Sequence, residues 1–339
     1  MRIVINSLEP RTTGSARIHV HNMGYFLKEN GCDVVVNDWN NYTKYDVAIF
    51  GKSVDLVAIS NAHHRNPLIV VGKINPSDYG KVREKDNTGL VDFFIAGSIE
   101  ERDYYLADQK PIAIFPQIER FNLPLKVHNE KPSIVIGYHG NKMHIEGIST
   151  ALLSALERIN KEFHIEIRLL YDIESLGLVS FPSRLPCKHI QWSLKYFGNI
   201  IQEFDIGIVP SLTKMPKLFV KSIHKLPCKS GFKNDYIQRF KNTTNAGRAF
   251  VFFQLGIPVV AEMVTSHFHI LGNPENGMIA LSEEGWYQGI KVLAESAETR
   301  NRIGRNAKAE FDRLYNPMVW ARQLGRFMEN LLIQKKEMP

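Results

Sequence analysis

Short apolar runs alternate with amphipathic segments of helical length along the first part of the chain. The spacing predicts a helix over 17–29, because Ile18, Met23, Phe26 and Leu27 fall on one face and Gly31 follows as a helix stop. Strands that alternate with helices are typical of a parallel sheet covered by helices. The predicted strands of this first doubly wound α/β domain are 2–6, 33–36, 47–50, 68–72, 93–96 and 112–115.

The same alternation begins again after a polar stretch rich in Asn, Pro, His and charged residues, which reads as a linker over 123–132. The second series has predicted strands at 133–138, 165–171, 190–192, 206–210 and 259–261. Its predicted helices are 148–161, 197–203, 244–255, 286–294, 298–314 and 318–332. The chain is therefore expected to form two Rossmann-like domains, 1–122 and 133–315, with a ligand in the cleft between their strand ends.

Composition indicates a folded protein with ample core material. The 339 residues are 44% hydrophobic and 23% charged, which is close to the globular average. No run approaches the roughly 18 apolar residues that span a bilayer, and the first residues do not read as a secretion signal. The three cysteines, Cys32, Cys187 and Cys228, form no Cys-x-x-Cys pair, so we expect a cytoplasmic protein with free thiols.

Positive charge is concentrated in one insertion, 211–243, and the residues just after it. Nine basic residues and one acidic residue lie between positions 211 and 249, whereas the rest of the chain sums to −1 of the total +7. Such a segment indicates an anionic partner, although a solvated insertion remains open. Four lysines are spaced to share one helix face, which predicts peripheral contact with the inner membrane surface. They are Lys214, Lys217, Lys221 and Lys225.

Several common chemistries lack their motifs. The turn after the first strand has no Gly-x-Gly-x-x-Gly, and the chain has neither a Walker loop nor a Gly-x-Ser-x-Gly elbow. No Asp-x-Asp pair is present and the histidines are poorly spaced for joint ligation, so neither a metal nor another cofactor is expected. Gly14, in a turn that feeds a helix, is a candidate for close approach of an anion, with a plain turn as the alternative.

The most informative pattern lies on both sides of the basic insertion. A strand reading Phe-Asp-Ile-Gly-Ile-Val-Pro (204–210) precedes it, and Lys-Asn-Thr-Thr-Asn-Ala-Gly-Arg (241–248) follows it. The next helix ends at Gly256 and leads into Ile-Pro-Val-Val-Ala (257–261). This combination resembles the donor site of GT-B glycosyltransferases, specifically the retaining type that uses nucleotide sugars. The resemblance covers about 190–335 well and 133–145 moderately.

The resemblance implies a GT-B fold, in which two Rossmann-like domains face each other across a cleft and a last helix, here 316–339, returns to the first domain. It also implies metal-independent sugar transfer from a nucleoside diphosphate sugar. Arg248 and Lys241 suit the catalytic role, because cations stabilise the charge that gathers on the leaving diphosphate. The predicted donor-binding residues are Gly14, His139, Gly140, Lys142, Thr244 and Asn245.

The acceptor is expected to be a glycan or a lipid-linked molecule of cell-surface polysaccharide or lipopolysaccharide synthesis. His63, Asn75 and Asp78 follow strands of the first domain and are predicted to bind it, although each also suits a turn or a cap. One position departs from the family pattern, because the glutamate that contacts the donor ribose in many of these enzymes falls on Val251.

Two other interpretations stay open at this stage. A sugar-nucleotide epimerase shares two Rossmann-like domains, and it would need no acceptor. A basic nucleic-acid-binding module would account for the positive insertion, but the chain has no RNP, KH or helix-turn-helix pattern, so no nucleic acid is expected.

Overall fold

The computed structural model describes residues 1–74, 89–106, 109–211 and 246–337. The chain forms two units, the first of Met1–Arg120 with Tyr315–Pro339 and the second of Phe121–Leu314. Each unit is built on one six-stranded parallel sheet with helices between its strands. The predicted class of two Rossmann-like α/β domains is confirmed. Within the described ranges, no helix is both long enough and apolar enough to cross a membrane.

The sheet of the first unit has the strand order β2-β1-β3-β4-β5-β6. Its strands are β1 (Arg2–Asn6), β2 (Asp33–Val36), β3 (Val47–Phe50), β4 (Val70–Ile74), β5 (Phe93–Ala96) and β6 (Ile112–Ile114). All of them pair in parallel, so their carboxyl ends share one edge. The strand order reverses between β1 and β3, and in open α/β sheets this switch point is where ligands bind.

The helices of the first unit connect these strands. They are α1 (Gly14–Ala16), a π-helical segment (Arg17–Asn22) that continues into α2 (Met23–Glu29), α3 (Leu56–Arg65) and α4 (Ile99–Tyr105). The helical run begins at Gly14, where the sequence predicted a turn. Helix α3 was not predicted, because only Ile59 and Ala62 of its ten residues are buried and so few apolar positions give no clear period.

The C-terminal helix (Pro317–Glu337) completes the first unit. Ala321, Leu324 and Met328 are buried in the same core cluster as the strands β1, β3 and β5. At the other end of the helix, the Lys335 ammonium forms a 2.8 Å ion pair with Asp92, just before β5. The last segment of the sequence therefore supplies one face of the first sheet's core.

The sheet of the second unit has the strand order β12-β11-β10-β7-β8-β9. Its strands are β7 (Ile134–His139), β8 (Ile165–Tyr171), β9 (Cys187–Gln191), β10 (Ile206–Val209), β11 (Val259–Glu262) and β12 (Met278–Ala280). Counted from β7, this is the Rossmann order 3-2-1-4-5-6, with its switch point between β7 and β10. Strand β12 had no predicted counterpart.

Besides two short 3₁₀ helices, eight α-helices of the second unit lie in its described residues. They are α5 (Lys142–Glu146), α6 (Thr150–Glu162), α7 (Ile173–Leu176), α8 (Phe197–Gln202), α9 (Gly247–Gln254), α10 (Phe268–Leu271), α11 (Glu283–Glu295) and α12 (Ala297–Tyr315). Helix α12 approaches the turn after α9 closely, since a Cβ on Gly304 would lie 2.1 Å from the Gly256 carbonyl oxygen. A glycine is therefore required at position 304.

The stretch predicted as a linker has no regular secondary structure and belongs to the second unit. Its backbone and side chains are fixed there, because the Lys126 amide donates to Leu255 O (2.9 Å) and a ring nitrogen of His128 contacts Gly256 O (3.1 Å). Asp205, immediately before β10, accepts from the Val135 amide (2.7 Å) and from Lys131 (2.5 Å). One buried carboxylate thus fastens this stretch to two adjacent strands.

Replacing Asp205 with Asn is expected to destabilise the second unit by about 3 kcal/mol at neutral pH, because it leaves buried cations without their partner. Burial would raise the pKa of Asp205, but His128 at 3.9 Å, Lys131 and the Val135 amide hold it well below its usual range. Because the pKa of Asp205 is lowered in the folded state, its contribution to the free energy of unfolding is complete at neutral pH. That contribution is lost as the pH falls below about 3.8, the ordinary pKa of an aspartate. The free energies of unfolding of wild type and Asp205→Asn, measured in urea, should therefore become more similar below that pH.

Glu310→Gln is the matched control, because it breaks an ion pair with Arg313 at an exposed site and should change the free energy of unfolding by less than about 1 kcal/mol. Equal effects of the two substitutions would contradict the structural role of Asp205.

Candidate functional site

The switch point of the second sheet brings together the carboxyl ends of β7 and β10 and the first turn of α9. The chain leaves β7 at Gly140 with a φ of +139°, a conformation that side chains rarely adopt. A Cβ at this position would lie 2.8 Å from Cδ of Arg248 and 2.9 Å from the Tyr138 hydroxyl. The glycine therefore makes room for the arginine at the end of the strand.

Arg248 is half-buried at this edge. Its guanidinium donates to Pro210 O (2.5 Å) and to the Ser211 hydroxyl (3.1 Å), both just beyond β10. Burial lowers the pKa of Arg248, while Tyr138 and Glu262 act in the opposite direction. These hydrogen bonds hold the guanidinium across the strand ends, and a planar guanidinium has five N–H donors in all.

A carboxylate that the sequence interpretation missed closes the same site. Glu262 is the last residue of β11, is only 2% exposed, and accepts from the Ser211 amide (2.6 Å). Its backbone oxygen also lies 2.7 Å from Nδ1 of His267. A glutamate at the end of a strand lies at the carboxyl edge of the sheet, and that is the signal for Glu262. The family pattern instead places its glutamate in helix α9, at Val251.

His139 positions the helix that carries Arg248. Its Nε2 lies 2.9 Å from the backbone oxygen of Arg248, so Nε2 carries the proton in this contact. The imidazole packs edge-on against the ring of Phe252, with 4.9 Å between centroids. The structure thus unites His139, Gly140 and Arg248, three of the residues predicted from sequence.

The Lys142 side chain contacts groups of two helices of the second unit. It opens helix α5, and its ammonium donates to Leu176 O (2.7 Å) and pairs with Glu146 at 3.2 Å. The side chain therefore fastens α5 to α7, and its predicted part in donor binding stays a prediction. Several predicted residues lie outside the described residues: Lys241, Thr244, Asn245, Asn75, Asp78, Lys214, Lys217, Lys221 and Lys225.

His63 does not stand in a loop at the carboxyl edge of the first sheet, as the sequence suggested. It lies near the end of helix α3, and its Nε2 is 2.7 Å from the backbone oxygen of Leu90, which precedes β5. The residues before a strand lie at the amino edge of a parallel sheet. The prediction that places His63 in a loop after a strand is therefore wrong, because the sequence did not predict helix α3.

The carboxyl edge of the first sheet holds a second polar site at its own switch point. Glu9, after β1, accepts hydroxyl hydrogen bonds from Ser15 and from Ser53 (2.8 Å). Burial raises the pKa of Glu9, but these two hydroxyls and the nearby Lys52 lower it below its usual value. Glu9 thereby joins the start of the first helical run to the loop after β3.

Lys73 fixes the position of that loop. The Lys73 side chain is buried, and its ammonium donates to the backbone oxygens of Gly51 (2.5 Å), Lys52 (2.8 Å) and Val54 (3.0 Å). Gly14, predicted to receive an anion, is the first residue of α1, and the atom nearest to a Cβ placed there is Nη2 of Arg17 at 3.9 Å. A side chain at position 14 would make an ordinary contact with Arg17, so this spacing does not require a glycine, and the role of Gly14 stays a prediction.

No family model and no curated protein matches this sequence. By structure, the chain is similar to sucrose-phosphate synthase from Thermosynechococcus elongatus, with a TM-score of 0.61 and 11% identity over 98% of this chain and 99% of that one. It is similar to Anabaena Alr3699/HepE in complex with UDP and glucose, with a TM-score of 0.62 and 11% identity over 97% and 99%. A glycosyltransferase from Rickettsia africae ESF-5 has a TM-score of 0.61 and 12% identity over 98% of both chains.

Likeness at this level of identity shows the fold. The two parallel six-stranded sheets with their helices match the two Rossmann-like domains of these GT-B glycosyltransferases, and the likeness covers almost the whole length of the chain. The chain therefore has the GT-B fold, as the sequence resemblance predicted.

Proposed function

We propose that the chain is a glycosyltransferase that binds a nucleoside diphosphate sugar at the second unit and a hydroxyl acceptor at the first. The observation that carries the proposal is Arg248, held across the switch point of a Rossmann sheet beside a glycine with positive φ. Solved structures of the same fold support it, since Alr3699/HepE has been crystallised with UDP and with UDP-glucose.

The chemistry follows from the charge that develops during transfer. The bond between the anomeric carbon and the diphosphate oxygen breaks, and its electron pair stays on the diphosphate. The acceptor oxygen forms the new bond to that carbon, and the proton of the acceptor hydroxyl passes to the leaving diphosphate. A guanidinium already fixed by Pro210 and Ser211 can stabilise the diphosphate without reorganising. Side-chain cations in this role make a metal unnecessary, so we propose metal-independent transfer. The sequence resemblance supports the retaining type.

The finer features of the proposal rest on sequence. We propose a glycan or lipid-linked acceptor in cell-surface polysaccharide or lipopolysaccharide synthesis, and a cytoplasmic enzyme that binds the inner membrane face through its basic insertion. A sugar-nucleotide epimerase would instead convert the donor in the absence of any acceptor. Product analysis with and without acceptor separates these two activities.

Nucleotide binding is expected without divalent metal. UDP or GDP should raise the melting temperature in EDTA as much as in Mg²⁺ or Mn²⁺, because side-chain cations and backbone amides bind the phosphates. Thermal shift and isothermal calorimetry with UDP, GDP and ADP, each with and without EDTA, measure this. A strict requirement for Mn²⁺ would contradict the proposed site.

Arg248→Ala is expected to lower kcat by about thirty- to a thousandfold, which corresponds to about 2 to 4 kcal/mol for one lost transition-state stabiliser. The measurement is steady-state transfer from the nucleotide sugar that binds best. Transfer at the wild-type rate would rule out a catalytic role for Arg248.

Two further variants separate this chemical effect from a structural one. Arg248→Lys keeps the charge, so it should retain part of the rate while losing the planar fork that spans Pro210 and Ser211. Arg302→Ala removes a half-exposed arginine from helix α12 and should leave kcat unchanged. Melting temperatures of all three variants show whether the fold survives.

Changing Lys214, Lys217, Lys221 and Lys225 together to Ser tests the membrane contact. Lysines near an anionic surface contribute about 1 kcal/mol each, so the quadruple variant should lose sedimentation with phosphatidylserine vesicles. Added salt should weaken wild-type binding in the same assay. Nucleotide affinity should stay unchanged. If the quadruple variant still sediments, the insertion is not the membrane contact; if its nucleotide affinity falls as well, the insertion belongs to the donor site.

A further inference from the structure

The backbone pairing between β10 and β11 stops at Val209. Within the paired region, the Gly207 amide donates to Pro258 O (2.9 Å). A parallel ladder repeats such a contact every two residues along both strands. A continued ladder would therefore bring the amide of Ser211 to the backbone oxygen of Glu262.

In the structure, a side chain replaces that backbone contact. The Glu262 carboxylate accepts from the Ser211 amide (2.6 Å), while the Glu262 backbone oxygen lies 2.7 Å from Nδ1 of His267. Pro210, which follows β10 directly, has no N–H to donate. The chain therefore leaves the sheet at Pro210, and the first amide beyond the strand is bound by a carboxylate.

Two acceptors of the Arg248 guanidinium lie on the residues that leave the sheet. Nη1 donates to Pro210 O (2.5 Å) and Nη2 donates to the Ser211 hydroxyl (3.1 Å). Ser211 thus contacts Glu262 through its amide and Arg248 through its hydroxyl. The carboxylate acts on the guanidinium indirectly, because it fixes the residue that lies between them.

Glu262 is itself held in place by its surroundings. The residue is only 2% exposed, and its backbone is paired with Ala280 of β12. His267, which contacts its backbone oxygen, is buried as well. A buried carboxylate destabilises a fold unless hydrogen bonds or opposite charges compensate for the lost water. The Ser211 amide supplies one such bond, so the side chain is tied to a single position.

We propose that Glu262 is the positioning residue for the Arg248 guanidinium and that it acts through its hydrogen bond to the Ser211 amide. The inference rests on the proposed glycosyltransferase function and adds a residue to the donor side. Glu262 is too buried to contact a substrate; it fixes Ser211, which helps to fix the cation. A cation fixed in advance stabilises the leaving diphosphate without rearrangement.

Steady-state kinetics of three variants test this role. Glu262→Ala and the bulkier Glu262→Met lack the carboxylate, so kcat should fall about ten- to a hundredfold, while KM for the nucleotide sugar changes less than about threefold. Glu262→Gln keeps an oxygen that accepts from the Ser211 amide, so its kcat should lie within about threefold of the wild-type value. Wild-type kcat in the first two variants, or a Gln variant as slow as they are, would overturn the inference.

A double-mutant cycle shows whether the effect passes through Arg248. In an Arg248→Ala chain, Glu262→Ala should change kcat by less than about threefold, because the side chain that Glu262 positions is already absent. An equal loss of kcat in both chains would reflect a general disturbance of the strand ends and would contradict the inference.

Glu166→Ala is the matched control. Glu166 also lies on a strand of the second sheet, β8, but its side chain is partly exposed and pairs with Arg168, so kcat should stay unchanged. Melting temperatures show which variants fold. If neither Glu262→Ala nor Glu262→Met folds, Ser211→Ala takes their place, because it breaks the same connection at the hydroxyl and keeps the amide bond to Glu262. Wild-type kcat in Ser211→Ala would then overturn the inference.

The ¹⁵N resonances of the Arg248 guanidinium separate this inference from the proposed function, since they require no reaction. They are assigned as the signals missing from Arg248→Lys. The Nη resonances should be separate in wild type and Glu262→Gln, and should merge in Glu262→Met or Ser211→Ala as the guanidinium becomes free to rotate. Merging in a chain without transferase activity supports the positioning role and contradicts the proposed function. Sugar transfer with unchanged Nη resonances and kcat in these variants contradicts the inference and leaves the proposed function intact.

Discussion

The carboxyl edge of the second sheet depends on the absence of a side chain at Gly140. With a Cβ there, the aliphatic part of Arg248 could not lie over the end of β7, and the bonds of its guanidinium to Pro210 and Ser211 would be lost. Ser211 is also held by Glu262 at the end of β11. One close approach thus connects three strand ends and the first turn of a helix.

The sequence was most informative where burial is continuous. Strands β3 and β5 are apolar at every position and β1 at its three central positions, so their limits could be predicted to the residue. Helix α3 was missed because few of its residues are buried, and His63 was misplaced with it. The period of apolar residues reflects which side chains are buried, so a helix with only two buried residues shows no clear period in its sequence.

Side-chain partners were harder to anticipate than elements. His139, Gly140 and Arg248 lie close together, as the sequence suggested, because the carboxyl ends of parallel strands share one edge of the sheet. Glu262 was missed, because its partner is the backbone amide of Ser211, just beyond the neighbouring strand β10 and fifty-one positions away. Lys142 shows the opposite limit, since a lysine beside a glycine turn suits a phosphate equally well and here binds a carbonyl and a glutamate of its own unit. Residue type and spacing do not distinguish these outcomes.

The two units also differ in how they handle buried charge. In the second, Asp205 is surrounded by cations and an amide, so its charge is matched within the protein. In the first, Lys73 is bonded to three carbonyl oxygens and Arg17 to a carboxylate. Matched groups of this kind build the framework of each unit.

The C-terminal helix bears on the order in which the chain can fold. The core of the first unit contains Leu324 and Met328 as well as residues of β1, whereas the second unit is one uninterrupted stretch of sequence. During synthesis from the amino end, the ribosome therefore releases every residue of the second unit before the first unit has its full core. The apolar face awaiting the last helix stays uncovered for most of translation, so the unit encoded first is the one completed last.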